Sequence, residues 1–589
     1  MSRMYDAGPD VDDEQGGKMS TSTNETARRN VVVIMNDTLR RDHVAAYGDP
    51  APWARPGREG SPFITTPSLD RLAAESAMFD RFYVSSYPTI PCRTDLFTGR
   101  FGFPVRGWQP LEPEDVVLAE ILSAKGWTTQ LIFDTPMLSQ ESYNFDRGFT
   151  GWDFVRGQHG DRWATSPCKA ELPGPARKLR SVGGTRQYLR NIAQRRCEDD
   201  WMCAQTTGRA MRWLEDNRNL EGFCLWVDMW DPHDPFDAPE FDLERYICSE
   251  HRDAGIVFPQ YGRSDYLTEK EINFVRGSYA ALVTLMDRWV GKLLDKIDVL
   301  GLSKNTMIVY LTDHGHLFGD HGLEGKPTAQ LGNLYEPTIR CPLLIRHPAG
   351  LGRASRPGGM TQHTDILPTI LDFLGVEIPS SVQGTSLLPA LRDPSWAGRE
   401  LVVSGRHSPY PNVATTRRDA DGFDGWAGPH DSIEPLTVTS REWSLIYPPG
   451  GERPPELYNL VEDPGQHNDL GRSGGPRVAE LRDAMLAFLL DNGAPVARVD
   501  VYRESKASPT RKRSYPYLEP DAVLFVIVDP EGRRFAYDTE AGATERLDAT
   551  MPEQAPQPMT FGELVRLDPH AMVDLGQYCW ASDLVAGAS

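Results

Sequence analysis

Residues 87–100 read Tyr87-Pro88-Thr89-Ile90-Pro91-Cys92-Arg93-Thr94-Asp95-Leu96-Phe97-Thr98-Gly99-Arg100. Pro88 and Pro91 flank Thr89 and stiffen its backbone, and the residues from Arg93 onward can form a helix that Gly99 ends. A hydroxyl placed there lies near a helix N-terminus, where backbone amides and the helix dipole favour an anion. The stretch therefore suits a threonine alkoxide that attacks an anionic ester.

Continuous apolar runs elsewhere in the chain predict strands that are buried on both faces of a parallel sheet. Residues 31–35 lead into Asn36-Asp37, and residues 306–311 lead into Thr312-Asp313-His314. Ligands of such sheets bind beyond the carboxyl ends of the strands, so we expect these polar residues to meet there. Amphipathic helical spacing between the runs completes an α/β alternation.

The stretch from Thr89 to Gly99 resembles the signature of the sulfatase family within the alkaline phosphatase superfamily. That family's pattern is Cys/Ser-x-Pro-x-Arg followed by a short helix ending in Thr-Gly, and here it reads Thr89-Ile90-Pro91-Cys92-Arg93 with Thr98-Gly99. One departure stands out: family sulfatases convert the first Cys or Ser into formylglycine, and Thr89 cannot be converted because its Cβ carries a methyl group. Related phosphodiesterases and phosphonate hydrolases of the superfamily use a plain Thr nucleophile.

The resemblance implies one divalent metal ion. Its ligands would be Asp37, Asp313, His314 and the Thr89 oxygen, with Asn36 left open as a further ligand. A histidine ligand beside carboxylates suits zinc or manganese better than calcium, which prefers an all-oxygen shell and stays as the alternative.

The same resemblance implies a second group of catalytic residues. Arg93 would orient Thr89 and the metal shell, while Lys326 and His233 would stabilise charge on the transferred group and the leaving oxygen. Family sulfatases place a Gly-Lys-x-His with sulfate contacts after the next strand, but this chain has Phe133-Asp134-Thr135-Pro136 there. Sulfate binding of the arylsulfatase type is therefore less expected than phosphorus chemistry.

Three more residues are candidate substrate contacts: Asp134, Arg156 and His159. Asp134 has helix capping as its alternative role. Arg156 and His159 belong to a run rich in glycine and aromatic residues that we expect to be an ordered loop near the site. Aromatic packing is the other explanation for that loop.

The composition narrows the choice of partners. The chain has 589 residues and a net charge of -21, which argues against nucleic-acid and anionic-membrane binding. No stretch approaches the roughly 18 apolar residues of a membrane-spanning helix, and the eight cysteines are scattered without a Cys-x-x-Cys pair. We expect a cytoplasmic protein that acts on a small anionic ester, with homo-oligomerisation left open.

The predicted architecture is a three-layer α/β core of the alkaline phosphatase type with a smaller C-terminal α+β domain. We expect a disordered tail over residues 1–28, a catalytic domain over 29–395 and a small sheet-and-helix subdomain over 396–500. Residues 501–589 would form an extension with a β-hairpin that either extends the small domain or covers a neighbouring surface.

The function predicted from these features is metal-dependent hydrolysis with Thr89 as the nucleophile. The expected substrates are phosphate diesters or phosphonate and phosphate monoesters. Two alternatives stay open: a sulfuric ester hydrolase of the arylsulfatase kind that works without formylglycine, and a catalytically silent binding protein with the sulfatase fold.

Overall fold

The computed structural model of the chain describes residues 28–49, 64–139, 143–167, 170–328, 331–406, 434–449, 453–503, 518–548, 550–551, 554–575 and 577–585. The predicted disordered tail lies outside these residues except for its last position. Across the described ranges, no helix has the length and apolar character that crossing a membrane requires.

A seven-stranded sheet forms the centre of the fold. Its strands, in chain order, are β1 (Asn30–Asn36), β2 (Ala77–Met78), β3 (Thr128–Phe133), β4 (Gly151–Phe154), β5 (Phe223–Met229), β6 (Thr306–Thr312) and β7 (Leu343–Arg346). Across the sheet they follow the order β2-β7-β6-β1-β5-β3-β4. Strands β6, β1, β5, β3 and β4 pair with one another in parallel, while β7 pairs antiparallel with both β6 and β2.

Strand β4 differs from the sequence prediction. Its residues fall inside the glycine-rich and aromatic run that was expected to be a loop, yet they pair in parallel with β3 at the edge of the sheet. The strand is only four residues long and partly exposed, so its apolar pattern is too short to separate it from a packed loop.

Helices cover both faces of the central sheet, which confirms the predicted three-layer core. Their bounds are α1 (Pro67–Ala74), α2 (Thr89–Thr98), α3 (Leu118–Ala124), α4 (Val182–Asn191), α5 (Met202–Asp216), α6 (Glu240–Tyr246), α7 (Glu269–Val299), α8 (Glu336–Ile339), α9 (Ile366–Leu374) and α10 (Leu388–Arg392). Alternate residues of β1 point to opposite faces: Val32 and Ile34 pack with α5 and α7, while Val31 and Val33 pack with α2 and α9.

A five-stranded sheet follows the core in sequence. It contains β8 (Leu401–Arg406), β9 (Leu436–Ser440), β10 (Trp443–Tyr447) and β11 (Glu456–Asn459), with helices α11 (Gly475–Asp491) and α12 (Val496–Arg503) after it. The fifth strand is the short edge strand Ser86–Tyr87, which pairs in parallel with β8 and lies just before Thr89. The small sheet is thus joined by backbone hydrogen bonds to the segment that carries the candidate nucleophile.

The C-terminal part of the chain forms an eight-stranded sheet together with short strands from the catalytic region. Its own elements are β12 (Val523–Val528), β13 (Arg534–Tyr537), α13 (Glu540–Glu545), β14 (Gln557–Thr560), α14 (Phe561–Leu567), β15 (Met572–Asp574) and β16 (Tyr578–Trp580). The catalytic region contributes Gly262–Arg263, Leu317–Phe318 and Leu323–Gly325. Strand β16 is the one that pairs with Gly262, so the described residues between 518 and 585, which leave out 549, 552–553 and 576, add to the sheet of the catalytic region.

Candidate active site

The polar residues predicted to meet at one edge of the central sheet do so. Asp37 follows β1 and Asp313 follows β6, and these parallel neighbours end side by side, with Asn36 opposite Thr312. Asp228 lies inside β5, opposite Met35 on the other side of β1. All of these side chains are fully buried, so the sheet edge concentrates acidic groups away from water.

Asp37, Asp313 and His314 form a compact group that we call the metal cluster. One ligand atom from each lies within 4.8 Å of the others. The Nε2 atom of His314 is 3.4 Å from Asp313 Oδ2 and 4.0 Å from Asp37 Oδ1. In the part of the chain that the structure describes, no other group of three such side chains has this spacing.

The metal cluster fits a divalent cation. His314 Nδ1 lies 3.0 Å from the Gly315 carbonyl, which can only accept, so Nδ1 carries the proton and Nε2 presents a lone pair. Burial lowers the pKa of His314 well below its ordinary value, so the imidazole is neutral. A lone pair and two carboxylates that face one another in a buried space repel one another unless a cation lies between them.

Asn36 has an oxygen available for the same cation. Its Nδ2 donates to the Asp231 carbonyl at 2.8 Å, whereas its buried Oδ1 has no hydrogen-bond partner among the described residues. Buried polar atoms are nearly always paired, so this oxygen indicates a missing partner and is compatible with Asn36 as a further ligand.

Arg93 links the metal cluster to Asp228. Its Nη1 donates to Asp313 Oδ2 at 2.8 Å and to Asp37 Oδ2 at 3.1 Å, while Nε and Nη2 donate to the two Asp228 oxygens at 2.9 and 2.7 Å. Such a paired guanidinium fixes the plane of the carboxylates as well as their charge. This agrees with the orienting role expected of Arg93 and identifies Asp228 as its anchor.

Thr89 is the first residue of α2, and its buried hydroxyl faces the metal cluster. Oγ1 lies 3.4 Å from His314 Nε2. The helix begins earlier than the sequence predicted, with Cys92 N–H donating to the Pro88 carbonyl at 2.9 Å. Pro91 permits this because a proline in the first helical turn needs no hydrogen-bond partner for its nitrogen. The helix ends at Gly99, whose φ of 66° is left-handed, as predicted.

Thr38 was not among the predicted site residues, yet it contacts both carboxylates of the metal cluster. Its φ is 68°, a conformation that costs a β-branched residue about 1–3 kcal/mol. In return, its N–H donates to Asp313 Oδ1 at 2.9 Å and its hydroxyl donates to Asp37 Oδ1 at 2.7 Å. The strained backbone therefore holds the two carboxylates of the metal cluster in register.

Lys326 and His233, 93 positions apart, form a second buried group that we call the Lys326–His233 pair. Lys326 Nζ lies 2.5 Å from His233 Nε2 and 3.3 Å from Thr38 Oγ1. His233 Nδ1 donates to the Asp234 carbonyl at 2.7 Å and also contacts the Asp234 carboxylate, so Nε2 is the acceptor for Lys326.

The proton of this pair resides on lysine. Burial lowers the pKa of Lys326 to about 8. Burial, and then the charge of Lys326, lower the pKa of His233 well below its ordinary value. At neutral pH the pair is therefore an ammonium group that donates to a neutral imidazole, beside the metal cluster.

The three candidate substrate contacts occupy different environments. His159 is buried beside His233, with ring centroids 6.0 Å apart, and burial lowers its pKa to about 3. Asp134 accepts from the Trp230 amide at 2.6 Å and from the Thr206 hydroxyl at 3.0 Å, so it joins a loop to α5 and caps no helix through these bonds. Arg156 is 43% exposed and pairs with Asp161 at 2.7 Å. Their contact with a substrate stays a prediction.

Taken together, a buried hydroxyl at the start of a helix, a candidate cation-binding cluster and an ammonium–imidazole pair are the groups that a hydrolase of anionic esters needs. The Sulfatase family model matches residues 29–376, more than half of the chain, and the chain belongs to that family. The predictions of a sulfatase-family hydrolase and of its fold are confirmed at this level.

The similar proteins include a multifunctional alkaline phosphatase superfamily protein, an arylsulfatase and, among solved structures, a phosphonate monoester hydrolase. The chain is 27% identical over 416 residues, 62% of this chain and 77% of the relative, to the multifunctional alkaline phosphatase superfamily protein PehA of Trinickia caryophylli. It is 23% identical to arylsulfatase K of Bos taurus over 76% of this chain and 81% of the relative. The crystal structure of phosphonate monoester hydrolase from Agrobacterium radiobacter superposes with a TM-score of 0.60 at 19% identity, covering 79% of this chain and 96% of that one, and supports the fold.

Proposed function

We propose that the chain cleaves phosphate diesters or phosphonate and phosphate monoesters, with unmodified Thr89 as the nucleophile. The observation that carries this proposal is the Thr89 hydroxyl at the start of α2, 3.4 Å from His314 Nε2 and facing the metal cluster. A phosphonate monoester hydrolase among the similar folds and the multifunctional relative PehA support the choice of phosphorus.

A divalent ion bound by Asp37, Asp313, His314 and the Thr89 oxygen, with Asn36 as a further ligand, would act as a Lewis acid that lowers the pKa of the hydroxyl. Zinc or manganese suits this donor set, because calcium prefers oxygen ligands only. Elemental analysis of the purified protein tests the identity of the ion. Zinc or manganese at one per chain is the expected result, and calcium would be the alternative.

The residues of the chain have distinct roles in the proposed reaction. Thr89 Oγ1 would release its proton to solvent and form a bond to phosphorus while the bond from phosphorus to the leaving oxygen breaks on the opposite side. Arg93 keeps Asp37 and Asp313 in place through charge-assisted hydrogen bonds. A water molecule would then attack phosphorus in the Thr89 ester and return one proton to Lys326, while the bond from phosphorus to Oγ1 breaks and Thr89 takes up a proton from solvent as the acid product leaves.

The Lys326–His233 pair would serve the leaving oxygen and the transferred group. Protonated Lys326 places a positive charge within this buried region, where electrostatic stabilisation of a developing oxyanion is stronger than in water. Neutral His233 accepts from Lys326 through Nε2, so the ammonium group has a fixed orientation. The leaving oxygen would take its proton from Lys326.

The preference for phosphorus over sulfur follows from the chemistry of threonine. A formylglycine hydrate has a second hydroxyl that can expel sulfate from the covalent intermediate. Thr89 has none, so its ester must be hydrolysed by external water. For a phosphate monoester, the transferred group carries one more negative charge than a sulfuryl group, which gives a metal ion and Lys326 more charge to stabilise.

Kinetics with a panel of aryl phosphate diesters, phosphonate monoesters and aryl sulfates test the proposal. We expect turnover of the phosphorus esters to exceed that of the sulfates, Thr89→Ala to be inactive and Thr89→Ser to be partly active. Mass spectrometry of the active-site peptide should show unmodified Thr89 and, after rapid quenching, a phosphoryl adduct.

Two results would contradict the proposal, and each selects an alternative. Efficient turnover of aryl sulfates with phosphorus esters untouched would indicate a sulfuric ester hydrolase without formylglycine. Absence of all turnover in metal-loaded protein that still binds phosphate would indicate a binding protein. Cytoplasmic location and the oligomeric state remain predictions from the sequence.

A further inference from the structure

Two adjacent residues of the C-terminal extension contact the neighbours of Lys326 and His233 in the structure. Gln577 and Tyr578 lie at the start of β16, the strand of the extension that pairs with Gly262 of the catalytic region. Gln577 contacts the segment that carries Lys326, whereas Tyr578 contacts the segment that supports His233. The start of β16 thus contacts two segments that are far apart in sequence.

Gln577 holds the backbone of Thr328, two residues after Lys326. Its Oε1 accepts from the Thr328 N–H at 2.7 Å, and its Nε2 donates to the Thr328 carbonyl at 2.9 Å. The side-chain amide thus satisfies both backbone groups of a residue 249 positions away. Gln577 is buried, so these hydrogen bonds are shielded from competing water.

Lys326 itself is held from the other side by Arg406. The Arg406 Nη2 atom donates to the Lys326 carbonyl at 3.4 Å and to the Pro327 carbonyl. The backbone around Lys326 is therefore clamped by Arg406 on the residues before Thr328 and by Gln577 on Thr328. Pro327 has no N–H to add a hydrogen bond of its own, which makes these side-chain clamps more important.

The neighbouring residue supports the histidine. Tyr578 N–H donates to the Tyr261 carbonyl at 2.8 Å, and the Tyr261 hydroxyl donates to Asp234 Oδ1 at 3.0 Å. Asp234 in turn accepts from His233 Nδ1 through its carbonyl at 2.7 Å. The extension therefore supports His233 through Tyr261 and Asp234, and it supports Lys326 through the backbone of Thr328.

We propose that the C-terminal extension completes the active site and that Gln577 is a positioning residue for the Lys326–His233 pair. The inference rests on the proposed function, because it assigns Gln577 to the step in which the leaving oxygen departs. A short displacement of Lys326 would weaken the stabilisation of the leaving oxygen. It would not disturb the metal cluster, whose residues follow strands β1 and β6.

Gln577→Met in the full-length chain tests the inference, since methionine keeps the size of glutamine but loses both hydrogen bonds. The chain offers a matched control in Gln554, whose Oε1 accepts from the Val528 N–H at 3.1 Å and whose Nε2 donates to the Val528 carbonyl at 2.6 Å. Gln554→Met removes the same kind of clamp, but only within the extension.

We expect Gln577→Met to lower kcat for alkyl phosphorus esters about tenfold to a hundredfold, the scale of a small misplacement at an active site. The loss should be smaller for nitrophenyl esters, whose leaving group needs little stabilisation, and metal content should stay unchanged. Gln554→Met should stay within about twofold of the unaltered protein on every substrate.

Hydrogen exchange supplies a readout that does not depend on activity. The amide of Thr328 should exchange faster in Gln577→Met and at the normal rate in Gln554→Met. Faster exchange with an unaltered leaving-group dependence would overturn the inference, as would equal kinetic losses in the two variants.

If the unaltered protein cleaves no ester in the panel, the proposed function fails. The weakening of inorganic phosphate binding in Gln577→Met, measured by calorimetry, then decides whether Gln577 positions Lys326.

Discussion

The metal cluster and the Lys326–His233 pair are adjacent but are built in different ways. Asp37 and Asp313 extend directly from parallel neighbours in the central sheet, and Arg93 ties both to Asp228. Lys326 and His233 lie on separate loops and depend on side-chain contacts between distant segments. The backbone of the sheet sets the first arrangement, while side-chain hydrogen bonds between loops set the second. We therefore expect changes in the cluster to have larger effects than changes around the pair.

Asp313→Ala should produce the largest effect, because it removes a ligand from the cluster and one partner of Arg93. Activity should fall to background and bound metal to near zero. Removing one member of a buried charged group also costs on the order of 3 kcal/mol of unfolding free energy. Elemental analysis, activity and chemical denaturation measure the three outcomes. Full metal content in an active Asp313→Ala protein would exclude the cluster as the metal site.

Asp228→Asn should have the next largest effect. It keeps the shape of the side chain but removes the charge that anchors Arg93, and the lost charged hydrogen bonds cost about 1.5–3 kcal/mol. Metal should remain bound, since Asp37, Asp313 and His314 are intact, while kcat falls as Arg93 loses its orientation. Loss of metal equal to that in Asp313→Ala would show instead that Asp228 and the cluster act as one unit.

These two aspartates also show how far the sequence predicts the site. Asp313 was predictable because it follows an apolar strand and precedes His314, and the carboxyl ends of parallel strands share one edge. Asp228 follows the apolar run of β5 in the same way, but strand β5 continues through it to Met229. The sequence therefore indicated Asp228 as well. The candidate chosen from that segment was instead His233, which lies in the loop after β5.

The Lys326–His233 pair marks the limit of prediction from sequence. Motif resemblance selected both residues, but not their 2.5 Å contact, because no local spacing relates loops so far apart. The resemblance assigned both residues to charge stabilisation but did not locate the proton, whereas burial and the charge of Lys326 lower the pKa of His233 and leave the proton on Lys326. Similarly, the extension was predicted to have a hairpin, but its contact with Thr328 depends on tertiary packing.

The pH dependence of activity tests where that proton lies. Burial lowers the pKa of Lys326 to about 8, and its protonated form is the active one, so kcat/KM should fall as pH rises through about 8. A bound divalent cation would lower the pKa further and move the fall to lower pH. In Lys326→Arg the guanidinium stays charged, so the remaining activity should lack this fall. An unchanged fall in Lys326→Arg would assign the titration to a different group.

Arg156→Ala should have the smallest effect, and it tests whether the comparison extends to the edge of the site. Arg156 is 43% exposed and its charge is already paired with Asp161. An exposed ion pair contributes about 0.2–1 kcal/mol, so losing a substrate contact of this kind should raise KM by no more than about fivefold and leave kcat unchanged.

Asp161→Asn is the matched control, because it frees Arg156 to meet an anionic substrate and should lower KM slightly. A rise in KM well beyond fivefold in Arg156→Ala would place Arg156 among the main binding residues. Steady-state kinetics at two salt concentrations separates these results, since only an exposed contact weakens appreciably with salt.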